Sequence, residues 1–293
     1  MNGVFPEGII HLPFLENLSF QFNKIRGSIP AEIAALERLT TLDISFNSIT
    51  GTIPEELWGM TSLKNLFLAH NELRGNVSTQ IGHLTNLRSL SMSRNPLTGE
   101  IPSDIGRLRE LVDLRLDSIG LHGRIPTELG QLSNIAFLRL NDNDLSGRVP
   151  SEISGFGDLK LLHLAGNPLL KDDFPTGMWG HKRIQVIDIR GCNFSGSIGS
   201  RVGEMLSLRD LWLSGNPFTG TVPTELSNVL SLRTLLMENT NIEGPMPIEI
   251  CEKPGWSSVE AWADCLGNQP EFECPCCTTC CRSDGTVCQP VGK

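Results

Sequence analysis

Arg115, Arg139 and His163 follow one another at intervals of 24 residues, each closing a short alternating run: Asp113-Leu114-Arg115, Phe137-Leu138-Arg139 and Leu161-Leu162-His163. Guanidinium groups clamp carboxylates and other anions through paired hydrogen bonds. On neighbouring strands, roughly 5 Å apart, such like charges would destabilise a sheet by a few tenths to about 1 kcal/mol. Two accounts offset that. One is a local ion network, in which Asp113 and Asp117 flank Arg115 and Asp188 lies beyond His163. The other is a recognition patch, with Arg115 and Arg139 as anion clamps and Phe137, Leu161 and Trp212 as apolar anchors. Interface hot spots favour that mixture of arginine and aromatic residues. Phe67 and Arg190 fall in the same rows and complete the candidate ligand-binding set. The two accounts are compatible.

Cysteine offers a second chemistry. Cys192 stands alone, while Cys251, Cys265, Cys274, Cys276, Cys277, Cys280, Cys281 and Cys288 crowd the C-terminal end. The spacing from Cys277 to Cys280 would also suit zinc. No histidine lies beyond His181, so such a site would need thiolates alone. A segment with so few large apolar residues needs staples, and we expect disulfides, without choosing their pairing. Adjacent cysteines such as Cys276 and Cys277 are badly placed to pair with each other.

Other candidates are weaker. Asp117, Asp142 and Asp144 could hold calcium but fit no known loop spacing; an acidic rim explains them. His70, His83, His122 and His181 are scattered. Nucleophile-elbow, phosphate-loop, dinucleotide and zinc-protease motifs do not occur, so the reading is non-catalytic, with no cofactor or metal.

What positions these residues is a repeat. Leu15, Leu39, Leu63, Leu87, Leu111, Ile135, Leu159, Ile184, Leu208 and Leu232 begin one pattern, with steps of 24 residues except a single step of 25 before Ile184. A fixed period of this size means a solenoid, in which each unit buries its apolar side only against its neighbours. In Leu39–Pro54 the run LTTLDIS alternates as a strand, with Leu42 and Ile44 inward and Thr41, Asp43 and Ser45 outward. Asn47 and its counterparts Asn23, Asn71, Asn95, Asn143, Asn167 and Asn216 can donate and accept, and so can close buried turns in successive coils. Cys192 and Thr240 are weaker substitutes, and Ile119 is none, so the turn after Leu116 should be rearranged. A glycine suited to positive φ and a proline that opens a short helical turn follow, as in Gly51 and Pro54. The long unit carries Lys171 at the glycine offset, where a small bulge is expected. Trp58 and Trp179 should be core.

The pattern L-x-x-L-x-L-x-x-N-x-L-x-G-x-I-P resembles the leucine-rich-repeat superfamily and, through its G-x-I-P extension, the plant-specific subclass. The resemblance covers Leu15 to about Ile250. It implies an α/β right-handed horseshoe or superhelix, with a concave parallel sheet and short convex helical turns. It further implies receptor ectodomains or secreted inhibitors that bind a peptide, protein or glycan, with a membrane co-receptor as a further partner. The run from Trp262 through Asp264 and Cys265 to Cys281 resembles the terminal cap of leucine-rich-repeat proteins from diatoms and related algae. The expected organisation is residues 1–14 as the tail of a preceding repeat, 15–250 as ten repeats, and 251–293 as a cysteine-rich cap.

Hydrophobic residues make up 39% of the 293, charged residues 19%, and the formal net charge is −9. That balance argues against nucleic acid, whose binders carry basic stripes, and against anionic lipid. No apolar run of about 18 residues is present, and the first residues lack the form of a signal peptide. The cysteines and the sequons at Asn17, Asn76 and Asn193 nevertheless point outside the cell, so an upstream signal or anchor is expected to lie beyond this chain. A glycan on Asn17 would obstruct the concave face. The alternative is a structural or surface-adsorbing protein, wall-associated or ice-binding. Such a protein should repeat one small polar residue along a row, and the sheet rows are irregular.

Overall fold

The computed structural model describes residues 2–266, 272–282 and 287–291. The chain divides into two compact units, residues 1–145 with 155–157, and residues 146–154 with 158–293.

The first unit carries a parallel sheet of three-residue strands: Asn17–Ser19, Thr41–Asp43, Asn65–Phe67, Ser89–Ser91, Asp113–Arg115 and Phe137–Arg139. Each pairs with the next at an offset of one repeat, so Leu18, Leu42, Leu66, Leu90, Leu114 and Leu138 line up. That register fixes which side chains share a face, because successive residues alternate across a sheet. The central leucines are buried, and the flanking residues form the open face. A second sheet runs through Asn2–Val4, Lys24–Gly27, Ser48–Thr52, Glu72–Asn76 and Leu97–Thr98. Gly3 pairs with Ile25 as Gly27 pairs with Ile49, so Asn2–Val4 stacks like the repeat tails that follow it. The third part of each coil is a single 3-10 turn, such as Glu55–Gly59, entered through a proline in the extended conformation. Leu57 and Trp58 bury its inner side.

Asparagine ties coil to coil. Asn95 is 4% exposed. Its Oδ1 accepts from Leu73 N at 3.1 Å, and its Nδ2 donates to the carbonyls of Leu68 at 3.0 Å and Met92 at 2.9 Å. Asn47, Asn71, Asn143 and Asn216 make the same set. Each amide therefore completes the turn of the coil before its own. The residue just before the asparagine takes a left-handed conformation: Phe22, Phe46, His70, Arg94 and Asp142 have φ of 54° to 56°, and Ser118, before Ile119, has 55°. Such a conformation costs a side-chain-bearing residue roughly 1–2 kcal/mol. In the second unit Gly166, Gly191 and Gly215 take the same place.

The turn after Leu116 is rearranged as its sequence predicts. Gly120 adds a second left-handed residue after Ser118. Beside it the side sheet breaks, leaving only the bridge from Gly99 to Leu121 between Leu97–Thr98 and His122–Arg124. Asn143 compensates, its Oδ1 accepting from both Ile119 N and Leu121 N.

The second unit carries its own run of parallel open-face strands, Leu161–His163, Val186–Asp188, Asp210–Trp212 and Thr234–Leu236. Its long repeat corrects one expectation. Asp172, with φ of 71°, occupies the glycine place, not Lys171. Ser146 pairs with Leu169, one position beyond the usual offset, so the extra residue precedes the strand Leu169–Asp173. Trp179 and Trp58 are core, 2% and 1% exposed. Cys192 Sγ donates to Leu164 O at 3.3 Å, and burial pushes its thiol up to about 11.

The eight terminal cysteines pair as Cys251–Cys276, Cys265–Cys280, Cys274–Cys277 and Cys281–Cys288, which sets aside zinc ligation by thiolates. The segment they hold extends the sheet. Glu260–Ala263 pairs in parallel with Thr234–Leu236, Thr279–Cys281 follows in parallel, and Cys288–Pro290 closes in antiparallel. Asp264 stands where a ladder asparagine would, and its carboxylate accepts from Asn239 N and Thr240 N at 2.9 and 3.0 Å. Thr240, the weaker substitute, donates to Met237 O at 2.8 Å.

Candidate functional site on the open sheet face

In the first unit the ion network forms around Asp113. Arg115 binds it through Nε and Nη2 at 3.0 and 2.7 Å, and Arg139 through Nη1 at 3.2 Å. Arg115 and Arg139 lie directly opposite in register, so one shared carboxylate offsets their repulsion. The pair is electrostatically unequal. Its bond to Asp113 raises Arg115 above the usual guanidinium range, whereas burial pulls Arg139 below it, partly countered by Asp113. Arg139 also lies over the Phe137 ring, 5.9 Å from its centroid. Asp117 joins this network through its charge, which acts on both Arg115 and Arg139, while its direct bond is with Ser93 Oγ, from which it accepts.

A depression of about 280 Å³ opens beside this network. Ser45, Ala69, Ser91 and Ser93 form its floor, Phe67 rises from the sheet, and Arg115, Asp117 and Arg139 border it. Phe46 and His70 border it too. They belong to a stack in which Phe22 and Phe46 lie 4.3 Å apart and Phe46 and His70 lie 4.1 Å apart, nearly parallel. Burial, then Arg94, holds the His70 imidazole below its ordinary pKa against the opposing pull of Asp117. Ser45, expected to point outward, does lie on the open face but is 6% exposed, as are Ser91 and Ser93.

In the second unit Asp188 binds Arg190 through both oxygens at 2.8 Å, rather than serving only as a charge beyond His163. The Arg190 guanidinium covers the Trp212 ring at 4.4 Å, and His163 stands 6.4 Å from the same ring. Leu161 is half-buried on the same face. Trp212 Nε1 has no hydrogen-bond partner among the described residues. Phe67, Asp113, Arg115, Asp117, Phe137 and Arg139 thus gather in the first unit, and Leu161, His163, Asp188, Arg190 and Trp212 in the second. The sequence reading missed Phe46, His70, Ser45 and Ser91. The signal for the first two was present: the place before each ladder asparagine reads Phe22, Phe46 and His70 at the same 24-residue step.

Asn17, Asn76 and Asn193 are exposed, Asn17 on the open face and the other two on side strands. Among the described residues no group of three or more His, Cys, Asp or Glu side chains could hold a metal, and no helix is long and apolar enough to cross a membrane.

Models of leucine-rich repeats match residues 13–73, 86–108 and 207–229. Three solved structures share the fold. A plant peptide hormone receptor, RGFR1 in complex with RGF2, is 29% identical with a TM-score of 0.79, covering 94% of this chain and 46% of the receptor chain. A TDR receptor is 27% identical with a TM-score of 0.78, covering 90% and 49%. A plant ice-binding protein is 29% identical with a TM-score of 0.76, covering 88% and 83%. The chain spans about half the length of the two receptor chains. A search of curated protein sequences returns no match. Both units are therefore built as a leucine-rich-repeat solenoid, with a parallel sheet, short 3-10 turns and a disulfide-bonded C-terminal segment.

Proposed function

We propose that this protein is an extracellular, non-catalytic recognition module whose open sheet face binds a peptide or protein ligand. The observation that carries the reading recurs in both units: a carboxylate holds a guanidinium against an aromatic ring. Asp113 holds Arg139 over Phe137, and Asp188 holds Arg190 over Trp212. Preset side chains of this kind lose little freedom on binding. Two similar structures are receptors, one of them a plant peptide hormone receptor in complex with RGF2, and the disulfides suit an oxidising compartment. A membrane co-receptor is a natural further partner. We read the repeats as residues 15–250, of the plant-specific subclass, and residues 251–293 as a terminal cap of the diatom type.

Short peptides selected from a random library on the immobilised protein provide the test. Arg139→Ala or Trp212→Ala is expected to weaken the selected peptides about tenfold or more, as hot-spot truncation does. Arg107→Ala should leave binding unchanged, since Arg107 is exposed on a 3-10 turn and among the described residues pairs only with Asp104. Binding indifferent to both open-face changes would refute the reading.

A second reading, adsorption to ice, is favoured by one row away from the sheet. The first residue of successive 3-10 turns is a small hydroxyl: Thr79, Ser103 and Thr127 in the first unit, then Ser151, Thr176, Ser200 and Thr224 in the second, all exposed. A plant ice-binding protein is among the similar structures. Against it, Thr127, Ser151 and Thr224 spend their hydroxyls on the glutamate that follows. Thermal hysteresis is expected to equal that of a buffer blank; a gap that disappears on Thr176→Lys would establish adsorption instead.

A further inference from the structure

We propose that the depression on the first unit's sheet is a saccharide subsite that takes an acidic sugar ring, a hexuronate residue. Its floor holds two hydroxyls that open into the depression. Ser45 and Ser91 are each 6% exposed, and neither Oγ bonds another group among the described residues, so both are left to solvent or to a ligand. A serine hydroxyl both donates and accepts, which is also the character of every hydroxyl on a sugar.

The rest of the lining extends the match. The Phe67 ring offers an apolar surface to the C–H face of a pyranose. Asp117, already accepting from Ser93, has a second oxygen to accept a ring hydroxyl. Arg115 and Arg139 spend only part of their donor set on Asp113. The remaining donors suit a carboxylate. Asp113 and Asp117 balance the two guanidiniums in charge, so it is their unused N–H donors, converging on the depression, that favour a carboxylate-bearing sugar over a neutral one. The volume, about 280 Å³, sits at the small end of ligand sites and suits one ring with its substituents. A peptide has less to gain here. The strand amides beneath are already paired within the sheet, so recognition must pass through side chains.

This inference stands apart from peptide binding, and the experiment separates the two. The whole protein is titrated by calorimetry with a linear oligohexuronate and with a neutral hexose oligomer of equal length. The acidic oligomer is expected to saturate the site, and the neutral one to bind roughly tenfold more weakly or less, a difference that calorimetry resolves. The double variant Ser45→Ala, Ser91→Ala should weaken the acidic oligomer by about tenfold while its melting temperature stays at or above that of the parent, because neither hydroxyl has a partner to lose. It should leave library-selected peptides bound. Absence of saturable binding, equal affinity for the neutral oligomer, or an indifferent double variant would overturn the proposal. So would loss of the selected peptides in that variant, which would assign the depression to them.

Discussion

Replacing Asn95 with alanine is expected to lower the stability of the first unit by about 2 to 6 kcal/mol, summing the cost of two orphaned buried groups. The change removes the acceptor for Leu73 N and the donor to Met92 O, while Leu68 O keeps its bond from Asn71 Nδ2 and Ser93 O loses a longer one. None of these groups finds water, because the turn they close is packed under Leu68, Leu73 and Met92, all 0% exposed. Urea unfolding followed by circular dichroism, at unchanged slope, is the measurement. Asn65→Ala is the control. Asn65 lies on the open face and among the described residues its side chain bonds only to the Thr41 hydroxyl, so its loss should cost no more than about 0.5 kcal/mol. Asn95→Asp sharpens the test, since a carboxylate can still accept from Leu73 but cannot donate to the two carbonyls. An Asn95→Ala protein within 1 kcal/mol of the parent, roughly the effect of an ordinary substitution, would remove the ladder from the account of what holds the coils together.

The second large effect is expected from reducing agents. Among the described residues of 251–293 few large side chains are buried, chiefly Trp256, Val259 and Phe272, and a segment this short rarely folds without staples. By loop-closure entropy the Cys251–Cys276 and Cys265–Cys280 bonds, with separations of 25 and 15 residues, each contribute about 3 to 3.5 kcal/mol. The Cys281–Cys288 bond closes only 7 residues and contributes about 2 kcal/mol by the same relation. Reduction should therefore release the segment as a unit. Its strand Glu260–Ala263 then leaves Thr234–Leu236, and Asn239 N and Thr240 N lose Asp264. Limited proteolysis should cut beyond Cys251 in reduced protein while the preceding repeats resist. An equally resistant segment after full reduction would show that packing alone holds it. Cys281→Ser with Cys288→Ser should have the mildest effect of the changes that remove one of these three bonds.

How much of this could be read from the residues depends on what each residue interacts with. Leu42, Asn47 and Pro54 recur because they meet the same neighbours in every coil, so strand, turn and 3-10 segment followed from the period. The break at Ile119 was legible for the same reason: a side chain that cannot bond stands where the others do. The place of Asp172 was not, because an extra residue can be absorbed on either side of a strand, and only the register decides. The bonds of Asp113 and Asp117 were also beyond reach. Both flank Arg115, and the choice between an arginine and Ser93 rests on side-chain rotamers. The depression depends on Phe67 standing among Ser45, Ala69 and Ser91, small residues from three coils whose conjunction no single repeat displays. The cysteine pairing lay outside any period.

The direction of the asparagine bonds has a consequence for how the chain is made. Asn71 finishes the turn that ends near Ile49, and Asn95 the one that ends near Leu73. A coil emerging from the ribosome is thus left open until its successor follows it out, about 24 residues later; at roughly 5–20 residues per second, that is a delay of one to several seconds. Each newest coil is a temporary end, holding unsatisfied amides until translation supplies the next side chain. Asp264 supplies the last rung of this succession among the described residues, accepting from Asn239 N and Thr240 N of the coil before it.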